Sequence, residues 1–148
     1  MKNITWHCKA FSVHSNNELY KILQLRASVF VVEQNCPYQD CDDKDQISYH
    51  LTAWNNDKAV AYARLIPPGI SYPTPSIGRV ATDSSVRRSG IGRELMKRAM
   101  EKVEELFGRQ QVTIGAQLYL KKFYESFGFT QIGDVYLEDD IEHIKMES

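Results

Sequence analysis

The sequence predicts an α/β domain, of the α+β kind, in which six or seven strands form a sheet and helices pack on it. Three stretches carry that expectation. Ile77 to Phe107 reads as a short strand (Ile77 to Thr82), a polar elbow (Asp83, Ser84, Ser85), the run Arg87-Arg88-Ser89-Gly90-Ile91-Gly92, and a long amphipathic helix. Ile47 to Ile66 reads as two strands around Asn55-Asn56-Asp57, a hairpin turn by composition. Leu118 to Met146 reads as a helix that closes at Gly128, followed by the strands Phe129 to Tyr136 and Ile141 to Met146.

Composition sets the bounds. The chain has 148 residues, 43% of them apolar and 25% charged, enough for one globular domain over residues 1–148. A formal charge of -1, with no basic block, argues against a nucleic-acid partner. No apolar run has the length of a signal or a membrane span, so a cytoplasmic protein without a membrane partner is expected. Cys8, Cys36 and Cys41 lack C-x-x-C spacing and are expected as reduced thiols.

In chain order, Thr5 to Phe11 is expected as the first strand. Ser15, with Glu18 three positions later, forms a capping box for a helix bearing Leu19, Ile22, Leu23, Arg26, Val29, Phe30 and Glu33 near one face. Arg26 and Glu33, two helical turns apart, are expected to pair with each other or with neighbours at the domain edge; the alternative is that they border an acceptor cleft. Asp40, Cys41, Asp42, Asp43 and Asp45 make an acidic loop, expected to be solvated, with a cationic acceptor as the other reading. Neither calcium nor zinc is expected. Lys44 and Asp45 fall where a calcium loop needs a ligand and a glycine, and Cys36, Cys41 and His50 suggest no fourth zinc ligand. His50 lies on the strand face opposite Leu51 and is expected to be structural. Pro67 to Ser76, with four prolines, is either stiffened surface or part of a binding site.

In the central stretch, Ile91, Leu95, Ala99 and Val103 recur every four residues, so the helix packs on one side and ends at Gly108. Gly90 and Gly92 let the backbone approach a ligand where the first helical N–H groups have no partner, which is an anion site. The spacing is neither that of a Walker loop nor of a dinucleotide fingerprint.

Arg87-x-x-Gly90-x-Gly92 between strand and helix resembles the pyrophosphate loop, Q/R-x-x-G-x-G/A, of the GNAT superfamily of N-acetyltransferases. The next motif of that family, Asn, Ala, Tyr and Gly-Phe on and after a helix, is met here by Gln117, Leu120, Tyr124, Gly128 and Phe129, with Gln for Asn and Leu for Ala as departures. Arg26, Val29-Phe30-Val31-Val32-Glu33-Gln34, Pro37-Tyr38, Asp42, Asp45, His50, Ala61-Tyr62-Ala63-Arg64-Leu65, Gly78-Arg79-Val80 and His143 recur at the spacing of its ElaA-like branch. The resemblance implies a mixed, mostly antiparallel twisted sheet flanked by about four helices, and a CoA thioester, acetyl-CoA, as cosubstrate without a metal.

It further implies that backbone N–H groups of Arg87, Arg88, Ser89, Gly90, Ile91 and Gly92 hold the pyrophosphate. Val80, Ala81 and Thr82 would pair with pantetheine and supply an oxyanion donor, and Gln117 would face pantetheine. Tyr124 is the candidate general acid, since a phenol of pKa about 10 stays protonated at neutral pH and can donate to a departing thiolate. The attacking group must be a neutral amine, and Glu33, His50 and His143 are the candidate bases. The expected activity is transfer of an acetyl group to a primary amine on a small molecule or peptide, with a homodimer possible; the other reading is a CoA-binding module without turnover.

Overall fold

The computed structural model describes residues 3–148. Seven strands form one sheet in the order β1-β2-β3-β4-β5-β7-β6: β1 (Ile4–Ala10), β2 (Tyr49–Asn55), β3 (Lys58–Ile66), β4 (Ser76–Thr82), β5 (Thr113–Gln117), β6 (Thr130–Glu138) and β7 (Ile141–Glu147). All neighbours are antiparallel except β4 and β5, which run parallel. The helices are α1 (Asn16–Arg26), α2 (Ile91–Phe107) and the short α3 (Lys121–Glu125), with a π-helical segment, Ala27–Glu33, continuing α1. Three α-helices stand where about four are expected. The expected helix from Leu118 is split into a 3₁₀ turn, Leu118–Leu120, and α3.

β3 explains the layering. Its residues from Ala59 to Ile66 are all buried, so both faces of the strand are covered. Ala61, Ala63 and Leu65 face the same core as Leu95, Met96, Ala99 and Val103 of α2, the stripe expected from the four-residue spacing. Tyr62 and Ala59 face the opposite way and pack with Ile22 and Leu25 of α1 and Trp54 of β2. Full burial of one such leucine is worth about 1.5–3 kcal/mol. The capping box is formed: Ser15 Oγ accepts from Glu18 N at 3.1 Å, and Ser15 N donates to Glu18 Oε1 at 2.8 Å.

The β2–β3 hairpin turns at Asn56, whose φ of 55° suits asparagine. Gly108 ends α2, as expected, with φ 88° and ψ 169°. No described helix is long and apolar enough to cross a membrane.

Candidate active site

The functional geometry begins where the sheet fails to stay closed. β4 and β5 share a single register pair, Ser76 with Thr113, and part beyond it. On the other edge of β4, Arg64 lies opposite Gly78 and Tyr62 opposite Ala81, so Arg79 and Val80 together face Ala63. That is a β-bulge, with Arg79 at φ 52°. It turns β4 away from β5 and re-aims the Val80–Thr82 backbone. The result is a cleft of about 1090 Å³, lined by Gly78 to Thr82 on one bank and Ile114 to Gln117 on the other. Ser71 and Tyr72 of the proline-rich loop also line it, so that loop is part of the cleft wall. Gly115 leaves the floor open: a Cβ there would stand 3.0 Å from the Tyr136 hydroxyl and 3.3 Å from that of Tyr72.

At the α2 end of the cleft, the loop after β4 is left-handed at Arg88 (φ 65°) and Gly90 (φ 87°). Gly90 is the N-cap of α2, and the first backbone bond back into the helix is Glu94 N to Gly90 O, at 3.1 Å. The earlier N–H groups therefore have no helical acceptor. Gly92 lines the cleft, and a Cβ there would meet nothing within 4 Å. Its missing side chain serves no packing need inside the protein. A diphosphate fits such a loop, since backbone donors and a helix start offer partial positive charge without a bulky side chain.

Arg87 and Gln117, both expected at the cofactor, have protein partners. Arg87 holds Glu33 in a two-pronged ion pair, Nη1 to Oε2 at 2.7 Å and Nη2 to Oε1 at 2.9 Å, and also donates to Thr82 O at 2.8 Å. The carboxamides of Gln117 and Gln34 lie 3.3 Å apart. Arg26 and Glu33 do not pair with each other. The π-helical turns between them rotate the chain less per residue than an α-helix does, so seven residues no longer return to the same face.

Arg26 instead reaches into the acidic loop, which is not a solvated loop. Its Nε donates to Asp40 Oδ2 at 2.8 Å and its Nη1 to Asp45 Oδ1 at 2.9 Å. Arg64 shares Asp45 Oδ1 at 2.8 Å and takes Asp42 through both Nη atoms, at 2.7 and 2.9 Å. Arg79 binds Asp40 Oδ1 at 2.7 Å, an aim given by the bulge. Three guanidinium groups thus match three carboxylates in a wall of the cleft, leaving little to attract a cation. Burial would raise the Asp42 pKa, but Arg64 holds it down at about 2. His50 is enclosed in the same wall. Its Nδ1 meets the Tyr62 hydroxyl at 2.5 Å and its Nε2 the Asp45 carbonyl at 2.8 Å. Burial pushes its pKa down to about 4. With both nitrogens engaged away from the cleft, His50 is a structural residue and not a base.

Tyr124 lines the cleft, 6% exposed, with its ring edge-on to Phe123 and Phe129. Burial, with a smaller contribution from Tyr119, pushes its phenol pKa up. His143 faces Gln117 across β7 and β5 and also lines the cleft. Its Nδ1 lies 2.7 Å from Ile141 O, so this nitrogen carries the hydrogen and the lone pair of the neutral ring sits on Nε2. Nε2 stands 3.5 Å from Glu138 Oε2, and Tyr136 stacks on the ring. Glu138 and Tyr72 were not singled out by sequence reasoning: Glu138 meets His143 only across the turn between β6 and β7, and Tyr72 lies against Gly115, distant in the chain.

A family model described as an acetyltransferase (GNAT) domain matches residues 13–148. ElaA of Escherichia coli K12 is 42% identical over 145 residues, covering 97% of this chain and 95% of that protein. A UPF0039 protein of Schizosaccharomyces pombe is 42% identical over 148 residues, covering 99% and 97%. Among solved structures, an acyl-CoA N-acyltransferase from Pseudomonas aeruginosa superposes with a TM-score of 0.93 at 42% identity, over 97% of this chain and 98% of that one. The parted β4 and β5, the glycine loop opening α2 and these full-length similarities agree: the chain belongs to the GNAT family of acetyltransferases, on its ElaA-like branch.

Proposed function

We propose that the protein transfers an acetyl group from acetyl-CoA to a primary amine by direct attack on the thioester. The observation that carries this reading is that one cleft joins the glycine loop, the unpaired edge of β4, the buried Tyr124 and His143. Backbone N–H groups from Arg87 to Gly92 hold the pyrophosphate, and Val80, Ala81 and Thr82 line the pantetheine and offer an N–H to the thioester oxygen.

An alkyl amine of pKa about 10.4 is neutral only about once in 2,500 molecules at pH 7. His143 takes its proton at Nε2, which stands 3.5 Å from Glu138 Oε2. Arg87 holds both oxygens of Glu33, so Glu33 serves as a base only where that pair opens. As the new C–N bond forms and the C–S bond breaks, Tyr124 donates to the departing sulfur.

The acceptor is an amine on a small molecule or peptide. The unpaired Cys8, Cys36 and Cys41 fit a reducing cytoplasm. Thiol release from acetyl-CoA against a panel of amines tests the reading. Turnover that depends on the amine is expected, whereas acetyl-CoA binding without turnover for any amine would leave a CoA-binding module.

A further inference from the structure

Arg87 and Gln117, two residues expected at the cofactor, have their side chains occupied by consecutive residues of one segment. Glu33 places a carboxylate on the Arg87 guanidinium at 2.7 and 2.9 Å, and Gln34 places a carboxamide 3.3 Å from that of Gln117. The first is an anion where a diphosphate would sit beside Arg87. The second is an amide where the pantetheine arm, itself built on amides, would pass. Arg87 belongs to the β4 bank and Gln117 to the β5 bank, so residues 33 and 34 cross the opening between the parted strands.

We propose that Glu33 and Gln34 form an internal stand-in for acyl-CoA, which the cofactor displaces on binding. The proposal rests on the acyl-CoA reading of the cleft. Its geometry suits exchange, because the side chains of Glu33 and Arg87 are 38% and 40% exposed and their pair is solvent-screened. Guanidinium passes from carboxylate to phosphate with the same two-pronged geometry, and the Gln117 amide passes from one amide to another. Displacement frees a carboxylate and a carboxamide that already line the cleft.

Calorimetric titration with coenzyme A alone tests this without knowing the acceptor. Glu33→Gln should bind coenzyme A about two- to fivefold more tightly than wild type, the range an exposed ion pair supports. In an Arg87→Gln background the same replacement should give no gain, because the contact to be released is already gone. Gln34→Ala should tighten binding about twofold through the other bank, and it carries the test alone if Glu33→Gln fails to fold. An equal gain in both backgrounds would mean that Glu33 only repels phosphate, and it would overturn the proposal, as would no gain or a loss. A wild-type protein that binds no coenzyme A would remove the acyl-CoA reading together with this one; wild-type binding without the Glu33 effect would remove the stand-in alone.

Discussion

Two walls of the cleft use the same chemistry, arginine on carboxylate, in opposite settings. Arg26, Arg64 and Arg79 face Asp40, Asp42 and Asp45 across a wall in which the Arg26 and Arg64 side chains are 0% and 3% exposed. At the other wall, Arg87 and Glu33 meet where both are more than a third exposed. A buried pair has already lost its hydration, so removing one member strands the other in a poor dielectric. An exposed pair can be exchanged for another anion at small cost. The first wall is therefore a fixed frame and the second a surface able to trade partners, and the bulge at Arg79 and Val80 joins them by sending one side chain to the frame and adjacent backbone to the cleft.

The largest effect should come from the residue that belongs to neither wall. If Tyr124 donates to the departing sulfur, Tyr124→Phe lowers kcat by about 10² to 10⁴ and leaves coenzyme A affinity nearly unchanged. Steady-state rates and calorimetry on one purified variant check both numbers. Full turnover with a lowered Tm would place Tyr124 in the core alone.

The fixed frame should respond in stability. Asp45 Oδ1 accepts from both Arg26 and Arg64, so Asp45→Ala removes one carboxylate partner from two buried guanidinium groups at once, leaving them Asp40 and Asp42, and should cost about 3–5 kcal/mol. For a chain of this size that is about 10 °C in Tm. A loss below about 1 kcal/mol would show that the network relaxes as readily as the exposed pair, and the contrast between the walls would fail.

Acid should dismantle the same frame in two steps. The His50 pKa falls from 6.5 to about 4 through burial, so its neutral form adds stability above pH 6.5 that is lost as pH drops from 6.5 to 4. The Asp42 pKa stands at about 2 rather than 3.8, opposed by burial and held by Arg64, so its contribution is intact above pH 4 and is lost between pH 4 and 2. The second step is worth about 2 kcal/mol. Urea unfolding from pH 7 to 2 should show both, and Asp42→Asn should flatten the lower one; an unchanged profile in that variant would detach Asp42 from acid stability.

What the sequence made legible follows from range. The Ser15–Glu18 box, the four-residue stripe of α2, the Asn56 turn and the glycine loop are all written within a few residues, where periodicity and backbone freedom decide. Tyr124 and His143 were legible as cleft candidates through the family motif. The partners of Arg26 lie 14 and 19 residues away, beyond any local pattern, and the π-helical segment breaks the spacing that made Glu33 look like one of them. The acidic loop looked solvated because its cations come from α1, β3 and β4. His143 as a base gains its case from the Ile141 carbonyl, two residues away on β7, and from Glu138, which the β6–β7 hairpin brings to it.

The smallest expected effect separates backbone recognition from side-chain recognition at the exchangeable wall. Gly92 has ordinary φ, and an added Cβ meets nothing within 4 Å, so Gly92→Val leaves the fold and its Tm nearly as they are. Its methyl groups would still fill space in front of the first N–H groups of α2, and coenzyme A should bind about tenfold more weakly, a change of about 1.4 kcal/mol. Gly90 differs because its φ is 87°, where a β-branched side chain is strained, so Gly90→Val should lose stability as well as affinity. Calorimetry and thermal melts on the two variants separate these costs. Unchanged affinity in a folded Gly92→Val protein would mean that no phosphate approaches that backbone, and the anion role would then pass to the Arg87 side chain.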